Sequence, residues 1–513
     1  MNIRAHATAT ANRPAQRGPR ALRKRSRLMD MARPVDMATP PRLHAHGDLS
    51  LWPMFAQLCP SYAARVSRRQ WMSAVSRLKV FALVIVLGAA TGWTSSCGIG
   101  AAGSPVCTPA AGKLPGEGGP RLATSDGFAA HAEPALAVDP HHPRSLLGAA
   151  QFARPGSFIR VPGTFFSADG GRTWHDNGPL PLPPGYAEGD DVSAAFAGGT
   201  GLVAAEIYPA SGRGGGVYVW RTRDAGRRFS APVPAFLVRH GGANTDHPSL
   251  AVATGPDGRP VITVAWAQGD SLLFSRSTDG AQTFSPARVI SAPRDQHPDL
   301  AVAAPGPGQA VSVAYAAQSA NGGTVVKVAT SGNAGQTFGA PVTVPGAPAA
   351  AEPQSYEVSL IAAGADPRHG TLYVAFAQQA GQGGSLRVVV THSTATGGWT
   401  APAEVHPVAA DPGSSQFQPA LTVTPAGQAY VTYFVASSGR VAPLLTEVGG
   451  QARTQTLGAP FDSGCGLTAG VKTIPWLGDY QALTSSAGHL YAAWNDGGTG
   501  TLQILVRAVD TGR

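Results

Sequence analysis

Seven times along the 513-residue chain a run of apolar residues is prefaced by polar or titratable side chains. These are Glu133, then Asp190 and Asp191, Asp246 and His247, Gln296 and His297, Tyr356 and Glu357, Gln418, and finally Asp479 and Tyr480. Carboxylates, imidazoles and phenols from separate segments can move protons or hydrogen-bond a polar ligand, provided that the fold gathers them in one place. The same groups can instead satisfy one another and channel water. Glu133, Asp191, Asp246, His247, His297 and Gln418 are the expected ligand-binding residues. His247 and His297 hold equivalent places in successive repeats beside Asp246, but no local ligand spacing accompanies them, and the sequence predicts neither metal nor cofactor.

Other chemistries lack their signatures. No glycine-rich phosphate loop precedes a helix, no paired cysteines have zinc spacing, and no serine elbow has a histidine partner. The formal charge of +9 is confined to one end: residues 1–96 hold 15 of the 39 Lys and Arg and 3 of the 30 Asp and Glu. From Cys97 onward the balance is −3, so a nucleic-acid partner loses its electrostatic footprint.

The elements that must position the polar groups are strands. Glu133-Pro134-Ala135-Leu136 recurs as His247-Pro248-Ser249-Leu250, His297-Pro298-Asp299-Leu300, Glu357-Val358-Ser359-Leu360, Gln418-Pro419-Ala420-Leu421 and Tyr480-Gln481-Ala482-Leu483, with a weaker copy at Asp191-Val192-Ser193-Ala194. Each copy is followed by a second apolar strand whose last residues are small and then aromatic: Phe152, Tyr208, Trp266, Tyr315, Phe376, Tyr433 and Trp494. A third strand, a turn and a short fourth strand complete each unit. With 64 Gly, 44 Pro and no helix-period segment in the mature part, the expectation is an all-β, seven-bladed β-propeller of four-stranded antiparallel blades spanning residues 131–513. The last unit runs out after its third strand, so the segment from Arg121 to Phe128, within a linker of residues 98–130, is expected to close the ring.

The turn between third and fourth strands carries the most specific motif. Ser167-Ala168-Asp169-Gly170-Gly171-Arg172-Thr173-Trp174 matches the Asp-box pattern Ser-x-Asp-x-Gly-x-Thr-Trp in full. Degenerate copies keep Asp224 and Asp279 or replace the aspartate by Asn333. The expected role is structural: hydroxyl and carboxylate bond the turn backbone, Gly171 takes a positive φ, and Trp174 plugs the blade edge.

All six methionines lie at or before Met72. Arg77 and Lys79 lead into an apolar run from Val80 to Ala90, the layout of a signal peptide over residues 72–97, with residues 1–71 a disordered extension or a mis-assigned start. Thr94-Ser95-Ser96-Cys97 resembles the cleavage site of bacterial lipoproteins, which would lipidate Cys97; the other reading is free secretion. In either case the destination is oxidising, and Cys107 and Cys465 either pair as a disulfide or stay as separate buried thiols.

The repeats and Asp-boxes resemble the sialidase-like superfamily, the bacterial neuraminidase repeat propellers. The segments Trp476-Leu477-Gly478-Asp479-Tyr480 and Leu490-Tyr491-Ala492-Ala493-Trp494-Asn495-Asp496 resemble the closing blade of exported exo-sialidase-like proteins. The resemblance implies a glycoside hydrolase in which Glu357 assists a nucleophilic Tyr480 and Asp479 or Asp246 serves as acid. Two features depart from sialidases: there is no arginine triad for the substrate carboxylate, and there are seven units in place of six. The expected function is therefore recognition or exo-glycosidic cleavage of an extracellular glycan at the central mouth by a monomer. The alternative is a non-catalytic propeller binding glycan or a surface protein. Membrane contact is expected only through a lipid anchor.

Overall fold

The computed structural model describes residues 119–513 apart from 129, 155–156, 158, 210–213, 240–241, 319–322, 347, 349–360, 381–384, 406–412, 450–452, 463–465, 470–471, 487 and 513. The signal segment, Cys97, Cys107, Glu357 and Cys465 lie outside the described residues.

Seven antiparallel sheets form seven blades, and no helix occurs among the described residues. Their inner strands are Ala130–Val138, Tyr186–Ala197, Thr245–Thr254, Gln296–Pro305, Ile361–Ala365, Ser415–Val423 and Ala482–Ser486. Each packs beside the inner strand of the next blade, and the seventh returns to the first, which closes the circle. The second strands are buried on both faces, and six of their terminal aromatics, Phe152, Trp266, Tyr315, Phe376, Tyr433 and Trp494, are fully buried between blades. A strand sandwiched on both sides must be apolar throughout, which is why Val261 to Trp266 shows no alternation.

The seventh blade combines Ala482–Ser486, His489–Asp496 and Gln503–Asp510 with an outer strand, Arg121–Leu122, from before the first blade. The expected ring closure is therefore observed. Behind it the Thr124 hydroxyl donates to Gln503 Oε1 at 2.6 Å and accepts from Ile504 N–H at 3.1 Å, both fully inside the protein.

At the first outer turn, the Ser167 hydroxyl donates to Asp169 Oδ1 (2.8 Å) and accepts from Gly171 N–H (2.9 Å). Asp169 accepts further from Arg172 N–H (3.0 Å), Thr173 N–H (2.9 Å) and the Thr173 hydroxyl (2.6 Å). Thr222 with Asp224, Ser277 with Asp279, and Ser331 with Asn333 repeat this arrangement. Although slight burial works the other way, these donors hold Asp169 and Asp279 down at about 2. Trp174 packs edge-on to Phe165 at 5.5 Å.

Candidate functional site in the central mouth

Five inner strands enter the hub through the same irregularity. Their register slips between Ala132 and Ala135, Asp190 and Val192, Asp246 and Ser249, Gln296 and Asp299, and Phe417 and Ala420. At each slip one residue has a left-handed backbone: Glu133 (φ 57°), Asp191 (44°), His247 (46°), His297 (44°) and Gln418 (50°). Four of them precede proline, which itself disfavours the α region, so each costs on the order of 1–3 kcal/mol. A β-bulge re-aims one side chain out of the pleat. Repeated around the ring, it delivers polar groups to the hub.

Glu133, Asp191, His247 and His297 line a cleft of about 750 Å³ over blades 1 to 4 and the approach to blade 7. Gln418 does not join them: its amide donates to Gly478 C=O at 2.5 Å and its carbonyl accepts from Gln481 Nε2 at 3.0 Å, linking blades 6 and 7. Below the cleft, a narrower channel of about 230 Å³ runs between the inner strands, walled by small and apolar residues such as Ala135, Ser193, Ser249 and Leu421.

One wall is an acid cluster around an imidazole. His247 Nδ1 lies 3.0 Å from Asp246 and 3.1 Å from Asp299, and Nε2 lies 3.8 Å from Asp191. Its own burial works against a charge, yet these carboxylates raise His247 well above its usual value, so it is held as imidazolium. Burial and the neighbouring Asp190 and Asp246 push the Asp191 carboxyl up to about 7, against the pull of His247. Asp246 shares a hydrogen bond with Asp191; burial would raise it, but the bond from His247 keeps it below the usual range. His297 is separate, mostly exposed and 3.4 Å from Asp270, so the two histidines do not converge.

The opposite wall joins blade 1 to the segment before blade 7. Asp479 N–H donates to Glu133 Oε1 (3.0 Å), and Trp476 Nε1–H donates to Asp479 Oδ1 (2.8 Å). Glu133 N–H is fixed by Asn495 Oδ1 at 2.9 Å. This packing leaves no room at Gly478, where an added Cβ would fall 2.8 Å from Asn495 Nδ2 and 3.0 Å from Glu133 N at a φ of +77°. Burial, with Asp191 and Asp479 nearby, raises Glu133 well above its usual value, and its Oε2 is buried without a hydrogen bond. Tyr480 sits at the floor with its hydroxyl held by Val192, accepting from N–H at 2.9 Å and donating to C=O at 3.3 Å. Its ring lies 6.2 Å from His247. Burial and the surrounding carboxylates keep the phenol protonated, well above its ordinary range.

Sequence reasoning missed three contributors to the cleft as ligand-facing groups: Arg160, Glu206 and Tyr208. Arg160 is paired with Asp190 and lies 5.9 Å from the Trp476 ring. Glu206 is 3% exposed, and burial plus Asp191 raise it well above its usual value. A charged residue inside the apolar strand Val203-Ala204-Ala205-Glu206-Ile207 was the available signal. Tyr208 lies one residue beyond the buried Ile207, which takes the place of Phe152 in the first blade, and its hydroxyl donates to Thr245 C=O at 2.9 Å along the cleft.

No family model matches the sequence, and no curated protein matches it. Solved structures with a similar fold include the GH93 alpha-L-arabinofuranosidase of Fusarium graminearum in complex with arabinobiose, at 12% identity and a TM-score of 0.46, covering 76% of this chain and 96% of that one. A PL25 ulvan lyase bound to a GlcA–Rha3S unit is 12% identical with a TM-score of 0.44, covering 75% and 98%. The Hadza microbial sialidase Hz136 is 13% identical with a TM-score of 0.41, covering 72% and 76%. The seven-bladed fold rests on the strand pairing of the chain itself and agrees with the sialidase-like resemblance of its repeats. These distant likenesses carry no information on its activity.

Proposed function

We propose that the chain is an exported glycan-acting propeller that binds a neutral or cationic sugar in the central mouth and hydrolyses it with Asp191 and Asp246. The observation that carries this reading is the opposed protonation of two adjoining carboxyls. Their oxygens and a His247 ring nitrogen lie within 4.8 Å of one another, with Asp191 raised to about 7 and Asp246 held ionised. Two carboxyls in hydrogen-bond contact that share one proton near neutral pH act as a single acid and base unit. Asp191 donates its proton to the glycosidic oxygen as the C–O bond breaks. Asp246 steadies the positive charge on the ring, and the proton released by the water that adds to the anomeric carbon returns to Asp191, so the pair ends with the one proton it began with. Trp476 offers a flat apolar wall for the sugar.

The cleft is lined by seven acidic side chains (Glu133, Asp190, Asp191, Glu206, Asp246, Asp299 and Asp479) with one arginine and two histidines. Arg160 is already engaged by Asp190, so an anionic sugar such as sialic acid would meet repulsion without a clamp. The extracellular destination and the alternative of a lipid on Cys97 belong to the same proposal and rest on the N-terminal sequence; the monomeric state belongs to it as well.

A second reading, recognition without turnover, is favoured by the Tyr480 hydroxyl, which is occupied by the Val192 backbone, and by Asp479, which is occupied by Trp476. A panel of neutral, amino and acidic glycans, as aryl glycosides and as polymers, separates the two. Turnover of a neutral or amino sugar that Asp191→Asn abolishes supports hydrolysis. Saturable binding with no turnover supports recognition, and a preference for acidic sugars sinks both.

A further inference from the structure

A second group of ligating side chains lies away from the mouth, at the seam where the ring closes. Asp126 belongs to the closing segment, His131 to the inner strand of blade 1, and Asp176 to its outer strand, His175–Pro179. One ligating atom from each lies within 4.8 Å of the other two. The His131 side chain is 0% exposed, wedged edge-on against Phe152 at 4.3 Å and Phe128 at 6.2 Å. Its Nε2 is paired with Asp126 Oδ1 at 3.0 Å, while Nδ1 has no hydrogen bond and Asp126 Oδ2 is buried without one as well. A fully buried imidazole with one ring nitrogen open, beside a buried carboxylate oxygen with no donor, is costly unless something else completes the group.

The two carboxylates are pre-positioned by the backbone. Asp176 accepts from Ser125 N–H through Oδ2 and from Gly178 N–H through Oδ1, each at 2.9 Å. Asp126 Oδ1 accepts from Phe128 N–H at 2.9 Å. Each carboxylate oxygen keeps a lone pair, and the two negative charges match one divalent cation.

We propose that Asp126, His131 and Asp176 form a binding site for a divalent transition-metal cation that clasps the closing segment to blade 1. One imidazole and two carboxylates suit a borderline cation of the Zn²⁺ kind better than Ca²⁺, which prefers an all-oxygen shell. The side chain of Asp126 is 24% exposed, which lets water complete the coordination and the ion enter. The role is structural, because Asp126 on the closing segment would be tied through the ion to His131 and Asp176 on two strands of blade 1, and a bound ion stabilises whatever state holds it.

The test is calorimetric titration of the chelator-stripped chain with Zn²⁺ alone, alongside thermal unfolding. Wild type is expected to bind one equivalent at micromolar concentration and to melt several degrees higher with it. Asp176→Asn, whose single amide oxygen serves only one of Ser125 N–H and Gly178 N–H, is expected to melt somewhat lower without metal, to bind at least 10-fold more weakly and to lose the Zn²⁺-dependent thermal shift, which is the readout. Absence of Zn²⁺ binding in wild type, or equal binding in Asp176→Asn, overturns the proposal. Loss of the equivalent in Asp191→Asn but not in Asp176→Asn would move the ion to the mouth and overturn it equally.

Discussion

The outer turns and the central mouth both present aspartates, and their carboxylates behave in opposite ways. The Asp169 carboxylate accepts four hydrogen bonds from its own turn and is held at about 2; Asp191 is buried among other acids and is raised to about 7. The turn supplies N–H and O–H donors faster than it removes water, and the mouth removes water without supplying donors. The acids of the outer turns therefore have the look of chemistry without its means, while the hub acids are kept in a state from which a proton can be moved.

The largest effect expected from breaking this contrast is on turnover. Asp191→Asn should lower kcat by about 10²- to 10⁴-fold on whichever glycan is cleaved, with the fold intact by circular dichroism. Asp169→Asn should leave kcat within about twofold. If the two changes cost the same activity, the division between hub and rim fails.

The pH dependence of stability should separate the regions by sign. A carboxyl raised on folding costs stability as pH rises from its unfolded value near 4 to its folded value of about 7, so the Asp191 contribution should improve on acidification across that window. Asp169 and Asp279 are depressed on folding, so their contributions are present above about pH 4 and disappear as pH falls towards 2. Urea unfolding at a series of pH values should show the first slope lost in Asp191→Asn and the second reduced in Asp169→Asn.

Gly478→Ala should sharpen the picture by moving the opposite wall. The intruding Cβ displaces Glu133 and Asn495, and we expect about 1–3 kcal/mol lost in stability together with weaker ligand binding. The smallest effect belongs to Asp169→Ala, about 1–2 kcal/mol by urea unfolding, because its bonds lie at a wet surface.

Much of this architecture is legible in the sequence for a physical reason. A blade buries its second strand on both faces and ends it with an aromatic, and that demand recurs once per blade. The missing outer strand of the last unit likewise pointed to Arg121 and beyond, since an unpaired edge needs covering. The mouth was only half legible. Side-chain direction there is set by bulges, and Glu133 or His247 in a left-handed backbone looks in sequence like any residue before proline. Tyr208 is an aromatic near the end of a second strand, which in the other blades means core, and its one-residue offset from the buried Ile207 is not visible in the sequence. Arg160 is brought to the cleft by its pairing with Asp190. His247 and His297 fill matching places, but only one is drawn into the acid cluster, because blade symmetry governs the backbone and not the company a side chain finds.

The contact between Thr124 and Gln503 joins residues 379 positions apart. A chain emerging from a ribosome or a translocation pore in order holds its first outer strand unpaired until nearly everything else has appeared. The first six blades can stack as they arrive, whereas the seventh must await both ends at once. Cutting into Arg121–Leu122 or into Gln503–Asp510 therefore injures the same sheet, and a protease reaching that sheet before it is sealed would find the chain at its most vulnerable moment.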